Sequence, residues 1–277
     1  MPTPDTCHLT PRVYFFWYAE YQSTSALVTT RLAILADIHA NVWALDAVLE
    51  HARSRGIEAF VNLGDTLYGP LKPRATYERL MHENVLVTIQ GNQDRLIYEA
   101  SERDLAYIPT LAYVIRDLGE EPIHWLSSLP KTATLSNDVF LCHGTPGSDM
   151  IYLLEDIMEG LPEVRSEGAI RELLQGVHQP VVLCGHTHIP RVVELANGQL
   201  VVNPGSIGVP AYDDVDPVRY RMQTFSPHAC YGILEKNGNG WNVSLERVAY
   251  DHHAAAEHAR TLGREDWAQG IGTGRMG

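Results

Sequence analysis

The sequence predicts an α/β fold, in which short apolar strands alternate with amphipathic helices. Residues 31–37 form an apolar run typical of a buried strand, and Asn41 then provides an N-cap for a helix with apolar residues at helical spacing. The same order begins again at residues 58–63 and at 85–89. Polar residues follow each of these runs directly. Because open α/β sheets bind ligands at the carboxyl ends of their strands, we expect functional residues at that edge.

The rest of the chain continues the alternation and then changes to hairpins. Residues 94–128 are expected to be mainly helical with breaks near Pro109 and Pro122, and residues 149–176 to contain two helices, the second beginning at Pro162. A helix is expected near residues 252–262. The predicted strands of this part are 138–142, 180–183, 191–195, 199–202, 229–235 and 241–250.

These elements indicate one domain over residues 31–262, without an internal repeat or linker. Residues 1–30 are interpreted as an N-terminal extension, packed on the surface or partly disordered. Its aromatic run at 13–18 follows no basic segment and is followed closely by Glu20, which argues against a signal peptide. Residues 263–277 are rich in glycine and are predicted to be a flexible tail.

Composition limits the classes of function. A net charge of −13 over 277 residues argues against a nucleic-acid polymer as partner, although a small anionic substrate fits if the local site is positive. No apolar run reaches the ~18–20 residues of a membrane span. The cysteines show no CxxC spacing, so we expect reduced, buried thiols in a cytoplasmic protein. The sequence does not indicate an oligomeric state.

Candidate metal ligands stand at the strand ends. His186 and His188 lie two residues apart after the apolar run 180–183, and in extended backbone such residues face the same side. The pair alone is weak support for a metal. The strand ends together offer seven oxygen or nitrogen ligands, which are Asp37, His39, Asp65, Asn92, His143, His186 and His188. Taken singly, Asp37, Asp65 and Asn92 could instead cap helices. One ion could not use all seven ligands, whereas two ions could if one carboxylate bridges them.

The motifs resemble the five sequence blocks of the calcineurin-like metallophosphoesterases, in order and in approximate spacing, over about residues 31–250. Two further motifs, Asn203-Pro204-Gly205-Ser206-Ile207-Gly208 and His143-Gly144-Thr145-Pro146, resemble the small prokaryotic phosphodiesterase branch of that family. The five blocks are Asp37-x-His39, Gly64-Asp65, Gly91-Asn92-x-Asp94, His143-Gly144 and Gly185-His186-x-His188.

The resemblance implies a four-layer αββα sandwich of two mixed sheets flanked by helices. It implies two divalent metal ions, with manganese expected and iron, nickel or zinc as alternatives. A hydroxide between them would attack phosphorus. One ion would take Asp37, His39, Asp65 and His188, and the second Asp65, Asn92, His143 and His186. Asp65 would bridge the ions.

The chain departs from the family at Gln93, where many members have a histidine that acts as a general acid. Glutamine cannot titrate, although its amide can donate a hydrogen bond to a phosphate oxygen. We place Asn92, Gln93 and Asp94 at the catalytic centre, with Asp94 as a supporting residue, and we expect Asn41 and Arg95 to contact substrate. A proton donor elsewhere in the chain is an alternative.

The expected function is a phosphodiesterase that hydrolyses a small phosphodiester or a dinucleoside polyphosphate, because a phosphoanhydride or acidic alcohol departs without much protonation. The expected partner is a small phosphorylated substrate, with a nucleotide as one candidate. A phosphomonoesterase or protein phosphatase is the alternative among enzymes. A non-enzymatic scaffold on the same fold is disfavoured because all seven ligands are present.

Overall fold

The structure, a computed structural model, describes residues 31–216, 218–238 and 240–277, so the N-terminal extension expected over residues 1–30 lies outside the described residues. The strands are β1 (Arg31–Leu35), β2 (Phe60–Asn62), β3 (Val85–Thr88), β4 (Thr132–Leu135), β5 (Val139–Cys142), β6 (Glu155–Met158), β7 (Leu161–Val164), β8 (Val181–Leu183), β9 (Arg191–Glu194), β10 (Leu200–Asn203), β11 (Ala211–Asp214), β12 (Tyr220–Gln223), β13 (Ala229–Asn237) and β14 (Gly240–Val248). The helices are α1 (Val42–Ser54), α2 (Pro73–Met81), α3 (Asn92–Tyr98), α4 (Glu102–Tyr107), α5 (Pro109–Leu118), α6 (Glu120–Ser128), α7 (Glu167–Leu173), α8 (His252–Thr261) and α9 (Glu265–Thr273).

Two five-stranded mixed sheets form the centre of the molecule. The first has the strand order β14-β13-β1-β2-β3, and the second has the order β4-β5-β8-β10-β9. In each sheet three neighbouring strands run parallel, namely β1, β2 and β3 in the first and β5, β8 and β10 in the second. The outer strands pair antiparallel. The parallel strands therefore end at a common edge in each sheet.

The two sheets pack face to face because side chains alternate along their strands. Leu32 and Ile34 of β1 belong to a buried cluster that includes Val139, Leu183 and Val202 from the second sheet. The intervening residues Ala33 and Leu35 belong to a separate cluster with the apolar face of α1. Each strand of the first sheet thus contributes to two cores.

The outer face of the second sheet is covered by α7, because Val182 and Val201 pack in one cluster with Ile170. The layers are helix, sheet, sheet and helix. The fold is therefore the α/β (α+β) four-layer sandwich that the sequence analysis expected, and this prediction is confirmed.

One helical prediction is wrong. Within residues 149–176 only α7 is an α-helix, and Pro162 lies in a hairpin formed by β6 and β7. The turn consists of Glu159 and Gly160, which both have positive φ (53° and 81°). Two such residues fit the tight turns that join hairpin strands, and Glu-Gly is a weaker sequence signal for them than Asn-Gly. The helical periodicity of this segment therefore gave no indication of the short hairpin that it forms.

Residues 263–277, which were predicted to be a flexible tail, contain a helix in the structure. Residues 265–273 form α9, which packs against α8 and buries Ala268, Gly270 and Ile271. A Cβ atom at Gly270 would collide with the carbonyl oxygen of Ala211 in β11. Glycine here permits close packing of a helix against a strand, whereas the sequence analysis attributed it to flexibility.

No helix among the described residues is long and apolar enough to cross a membrane.

Candidate active site

Six of the seven candidate ligands follow parallel strands in loops whose backbones bond to one another, and the seventh, Asn92, is the first residue of α3. The N–H of Asp37 donates to Gly64 (3.0 Å), the N–H of His39 donates to Asp65 (2.9 Å), and Gly185 donates to His143 (2.8 Å). These bonds join the loops after β1 and β2, and those after β5 and β8. The ligands therefore converge because neighbouring parallel strands end together.

The ligand loops hold strained backbone. Nine non-glycine residues of the described ranges have positive φ, and five of these are candidate ligands. The five are Asp37, His39, Asp65, His186 and His188, with φ between 49° and 72°. Positive φ is uncommon for residues with a Cβ and costs of order 1 kcal/mol or more at each position. The interloop hydrogen bonds hold this conformation, as expected where side-chain direction matters more than local stability.

Asp37, His39 and His188 form the first of two buried groups of candidate metal ligands. The Nε2 atom of His188 lies 3.3 Å from the Oδ1 atom of Asp37, and the Nε2 atom of His39 lies 3.9 Å from the same oxygen. Asp37 Oδ1 is buried and has no hydrogen-bond partner among the described residues. A buried carboxylate oxygen without a partner is costly, and a cation at this position would remove that cost.

Asp65, His143 and His186 form the second group. The Oδ2 atom of Asp65 lies 3.5 Å from the Nε2 atom of His143 and 3.9 Å from the Nε2 atom of His39 in the first group. Asn92 adds its Oδ1 atom 3.1 Å from the Nε2 atom of His143. Asp65 therefore lies between the two groups, at the position that a bridging carboxylate would need.

The histidine rings are oriented for ligation through Nε2. The Nδ1 atoms of His39, His143 and His188 lie 3.0, 2.8 and 2.6 Å from backbone carbonyl oxygens. Carbonyls only accept hydrogen bonds, so in neutral rings these Nδ1 atoms carry the protons and Nε2 presents a lone pair. The Nε2 atoms of His39 and His188 then face each other at 3.1 Å. Two lone pairs at that distance repel unless a cation or a proton lies between them. The donor set therefore fits divalent metal ions.

The electrostatics of the cluster favour added positive charge. Burial alone would lower the pKa of His143, but the carboxylates of Asp65 and Asp37 outweigh it and raise this pKa to about 10. Burial and a neighbouring imidazole lower the pKa of His39 and of His186 to about 4. Burial opposes ionisation of Asp65, yet the surrounding histidines hold its pKa below the usual range. The neutral imidazoles of His39 and His186 and the high pKa of His143 beside these carboxylates all indicate a site that is suited to a cation.

Asp94 supports the ligand loops from beneath. Its Oδ1 atom accepts the N–H groups of Thr66 (2.9 Å) and Leu67 (3.2 Å), and its Oδ2 atom accepts that of Gly91 (3.2 Å). Burial and the nearby charge of Asp65 raise the pKa of Asp94 to about 7. Asp94 thus joins the loop that carries Asp65 to the start of α3, where Asn92 lies.

Gln93 lies at the boundary between the ligands and a cavity. Its backbone N–H donates to Asp65 Oδ1 (2.8 Å), and its side chain lines the cavity. Its Oε1 atom is buried without a hydrogen-bond partner among the described residues. The side chain thus borders the cavity with an amide oxygen that makes no hydrogen bond to the described residues.

A cavity of about 480 Å³ opens above the ligands, a size that suits a small organic molecule. Its floor includes His39, Asp65, Asn92, His186 and His188. Its walls come from the β6–β7 hairpin, from β11 and β12, and from α9. Aromatic wall residues missed by the sequence analysis are Tyr68, Tyr152, Tyr212, Tyr220 and Trp267. No local motif distinguishes them, and Trp267 lies in the segment that had been expected to be flexible.

Asn41 and Arg95, which were expected to contact substrate, bond to other parts of the protein. Asn41 is fully buried, caps α1 by accepting the N–H of Ala44, and donates to the carbonyl of Gly208 and to the Tyr250 hydroxyl. Arg95 makes a two-pronged ion pair with Asp149 (2.8 and 3.1 Å). Neither residue lines the cavity above the ligands. The structure therefore differs from the prediction of substrate contact, because all of the amide of Asn41 and most of the Arg95 guanidinium are already bonded.

Comparison with known proteins identifies the family. The family model of the calcineurin-like phosphoesterase superfamily domain matches residues 31–224, so the chain belongs to that superfamily. The resemblance stated from the sequence is thus confirmed.

Particular relatives are distant. An uncharacterized protein of Methanocaldococcus jannaschii is 26% identical over 255 residues, covering 83% of this chain and 92% of its own length. The crystal structure of a metallophosphoesterase from Sphaerobacter thermophilus has a TM-score of 0.68 and 22% identity, with coverage of 89% of this chain and 99% of that chain. An archaeal phosphodiesterase has a TM-score of 0.42 and 16% identity, with coverage of 78% and 99%.

Proposed function

We propose that this protein is a dinuclear metal-dependent phosphodiesterase that acts on a small phosphodiester or a dinucleoside polyphosphate. The observation that carries the proposal is the position of Asp65 between two buried ligand groups. Membership of the phosphoesterase superfamily supports hydrolysis of a phosphoric ester. Manganese is the expected metal, and iron, nickel or zinc would suit the same mixture of oxygen and imidazole ligands.

Two bound divalent ions would make a water molecule more acidic and draw charge from the phosphoryl oxygens. The protein's own part is to hold the ligands in place. Asp37, His39 and His188 would hold one ion, His143, His186 and Asn92 the other, and Asp65 both. The carbonyl groups that accept from Nδ1 of His39, His143 and His188 keep the rings oriented and increase the basicity of Nε2.

The choice of a diester follows from the lack of a titratable residue at position 93. A histidine there could protonate a departing alkoxide, whereas Gln93 can only donate a hydrogen bond. General acid assistance is worth ~10²–10⁴-fold, and its absence matters least when the leaving group is already acidic. A phosphoanhydride or an activated diester therefore suits this site better than a simple alkyl monoester. The cavity volume of about 480 Å³ also favours a small substrate over a phosphoprotein.

The experiment is a substrate panel with metal-loaded protein. Activated aryl diesters, dinucleoside polyphosphates, aryl monoesters and alkyl monoesters are compared by kcat/KM after metal content has been measured. We expect diesters or polyphosphates to be hydrolysed fastest and chelation to abolish turnover. Faster hydrolysis of alkyl monoesters would favour the phosphomonoesterase alternative, and full activity after verified metal removal would contradict the metal-dependent proposal.

A further inference from the structure

The inference concerns the chemistry of the cavity wall beside the ligands, and it depends on the proposed function for the position of the phosphoryl group. On this wall the ring of Tyr152 packs on His186 and that of Tyr212 on His188, with ring centroids 4.6 and 4.7 Å apart. Three tyrosines on this wall have hydroxyl groups in contact. The Tyr152 oxygen lies 2.5 Å from that of Tyr220 and 2.9 Å from that of Tyr212. The Tyr212 hydroxyl donates to the backbone carbonyl of His186 (3.2 Å).

Only one arrangement of the three phenol protons makes a hydrogen bond of every contact in this chain of hydroxyls, because the carbonyl at one end can only accept. A phenol has a single proton to donate. Because Tyr212 gives its proton to the carbonyl, Tyr152 must donate to Tyr212, and Tyr220 must then donate to Tyr152. All three protons are used within the protein. The three oxygen atoms therefore present only lone pairs to the cavity, so that a bound group satisfies them only by donating hydrogen bonds.

The charged side chains of the wall also favour a ligand that donates hydrogen bonds. Two arginines line the cavity, and each already has a carboxylate partner, since Arg165 pairs with Asp156 (3.1 Å) and Arg264 with Asp266. The carboxylate residues of the walls are Asp156, Asp213, Asp214, Asp216 and Asp266. They outnumber the two arginines.

Asp214 lies next to the tyrosines and has no arginine or lysine partner among the described residues. Asp213 pairs with Arg219 (3.0 Å), whereas Asp214 accepts only the N–H of Val215 among the described residues. This carboxylate also contributes to the electrostatic environment of the Tyr152 and Tyr220 hydroxyls. A positively charged donor is therefore favoured over a neutral one at this wall.

We propose that the alcohol portion of the substrate carries a positively charged amine that is bound by the Tyr152–Tyr212–Tyr220 hydroxyls and Asp214. The phosphoryl group lies at the ligand floor, which would be cationic with metal bound, and the amine lies at the wall. The ring of Tyr68 also lines the cavity, and ammonium groups are attracted to aromatic faces, whereas the Trp267 ring already carries the Arg264 guanidinium. Tyr220 and Asp214 are thus specificity-determining residues for the ester.

The test compares three diesters that share a 4-nitrophenyl leaving group and differ in the second alcohol, which is 2-aminoethyl, 2-hydroxyethyl or propyl. Turnover is measured as formation of the alkyl phosphate monoester and not as release of 4-nitrophenolate, because the hydroxyl of the 2-hydroxyethyl ester can displace that leaving group by cyclisation. With one leaving group, the ratio of kcat/KM values then reports recognition of the second alcohol. We expect the aminoethyl ester to exceed the propyl ester by about tenfold, with the hydroxyethyl ester between them. Equal values for the aminoethyl and propyl esters, or for the aminoethyl and hydroxyethyl esters, would overturn the proposal.

Two variants test whether Tyr220 and Asp214 are the residues that recognise the amine. Tyr220→Phe and Asp214→Asn are each expected to reduce the aminoethyl-to-propyl ratio about threefold. The matched controls are Tyr107→Phe on α4, which is 77% exposed, and Glu120→Gln at the start of α6, and both should retain the wild-type ratio. An unchanged ratio in both wall variants would contradict the assignment of these residues.

The inference and the proposed function can fail separately. Hydrolysis of all three esters without a preference would retain the phosphodiesterase and reject the amine. If none is hydrolysed at verified metal occupancy, the proposed function fails, and calorimetric binding of 2-aminoethylphosphonate against propylphosphonate then tests the wall by itself. Tighter binding of the aminoethyl compound supports the inference, and equal binding rejects it.

Discussion

The floor and the walls of the cavity are made from different parts of the chain. The floor consists of side chains that directly follow parallel strands of the two large sheets, fixed by hydrogen bonds between loops. The walls consist of a hairpin (β6–β7), a two-stranded sheet (β11–β12) and a C-terminal helix (α9), none of which belongs to the large sheets. The floor is rich in imidazole and carboxylate, and the walls in tyrosine and carboxylate.

In the proposed phosphodiesterase, this difference would separate the residues that hold the metal ions from those that select the substrate. The floor loops carry positive φ angles and buried polar atoms that a cation would satisfy. Their backbone conformation is therefore suited to placing the candidate ligands, and substitutions there should disturb it. Of the walls, α9 is attached to the sandwich through the small cluster that it forms with α8. Substitutions in the floor should therefore remove turnover, and substitutions in the walls should alter stability or substrate preference. Four predictions test this division, from the largest expected effect to the smallest.

The largest effect is expected for Asp65→Ala. Loss of the carboxylate between the two ligand groups should lower kcat/KM about 10³-fold or more, because neither group is then linked to the other. Circular dichroism should show an intact fold, and metal analysis should show reduced occupancy. The control is Asp46→Ala, which removes an exposed carboxylate paired with Arg79 and should leave turnover unchanged. Near-normal turnover by the Asp65 variant at full metal occupancy would break the distinction between floor and walls.

Trp267→Ala tests the helical wall. This side chain packs edge-on against His39 with ring centroids 5.7 Å apart and also contacts Tyr68 and Arg264. Its removal should lower the free energy of unfolding by about 3 kcal/mol and raise KM. Urea titration and steady-state kinetics measure the two effects. Trp241→Ala on β14 is the matched control, expected to lose stability with KM unchanged. A stable Trp267 variant with normal KM would mean that α9 does not serve as a wall.

Gln93→His tests the residue at the boundary. An imidazole beside Asp94 could act as a general acid, so kcat/KM for alkyl monoesters should rise more than for activated aryl diesters, by up to about 10²-fold. Both substrate types are assayed at matched metal content, with Gln93→Asn as a control that cannot titrate. If the wild type already cleaves alkyl monoesters as fast as aryl diesters, another residue supplies the proton.

The fourth prediction, with the smallest expected effect, concerns chemical modification of Cys142 and Cys184, which are buried beneath the floor. Burial raises the pKa of both thiols well above the ordinary value, and only the thiolate reacts with alkylating agents. Iodoacetamide at pH 8 followed by peptide mass mapping should find both residues unmodified in the native protein and modified after denaturation. Modification without unfolding would show that the floor opens to solvent.

The sequence by itself was sufficient to predict the α/β fold class and the strand-end positions of the candidate ligands. The strands before Asp37, Asp65, Asn92, His143 and His186 are short apolar runs, and each ligand is adjacent to its own strand in the chain. Local patterns therefore located each ligand, and the parallel arrangement of strands brought the strand ends together. Among the described residues, the buried, unpaired state of Cys142, Cys184 and Cys230 also followed from their place in apolar runs.

Only the tertiary structure decided the walls and the uses of several polar residues. Tyr152, Tyr212 and Trp267 are far apart in the chain and meet because three peripheral elements pack around one opening. Asn41 and Arg95 were expected at the substrate, but long-range contacts with Gly208, Tyr250 and Asp149 occupy them. The glycines after residue 262 resemble a flexible tail by composition, yet Gly270 allows a helix to contact a strand. A local pattern does not contain the partner that gives such residues their role.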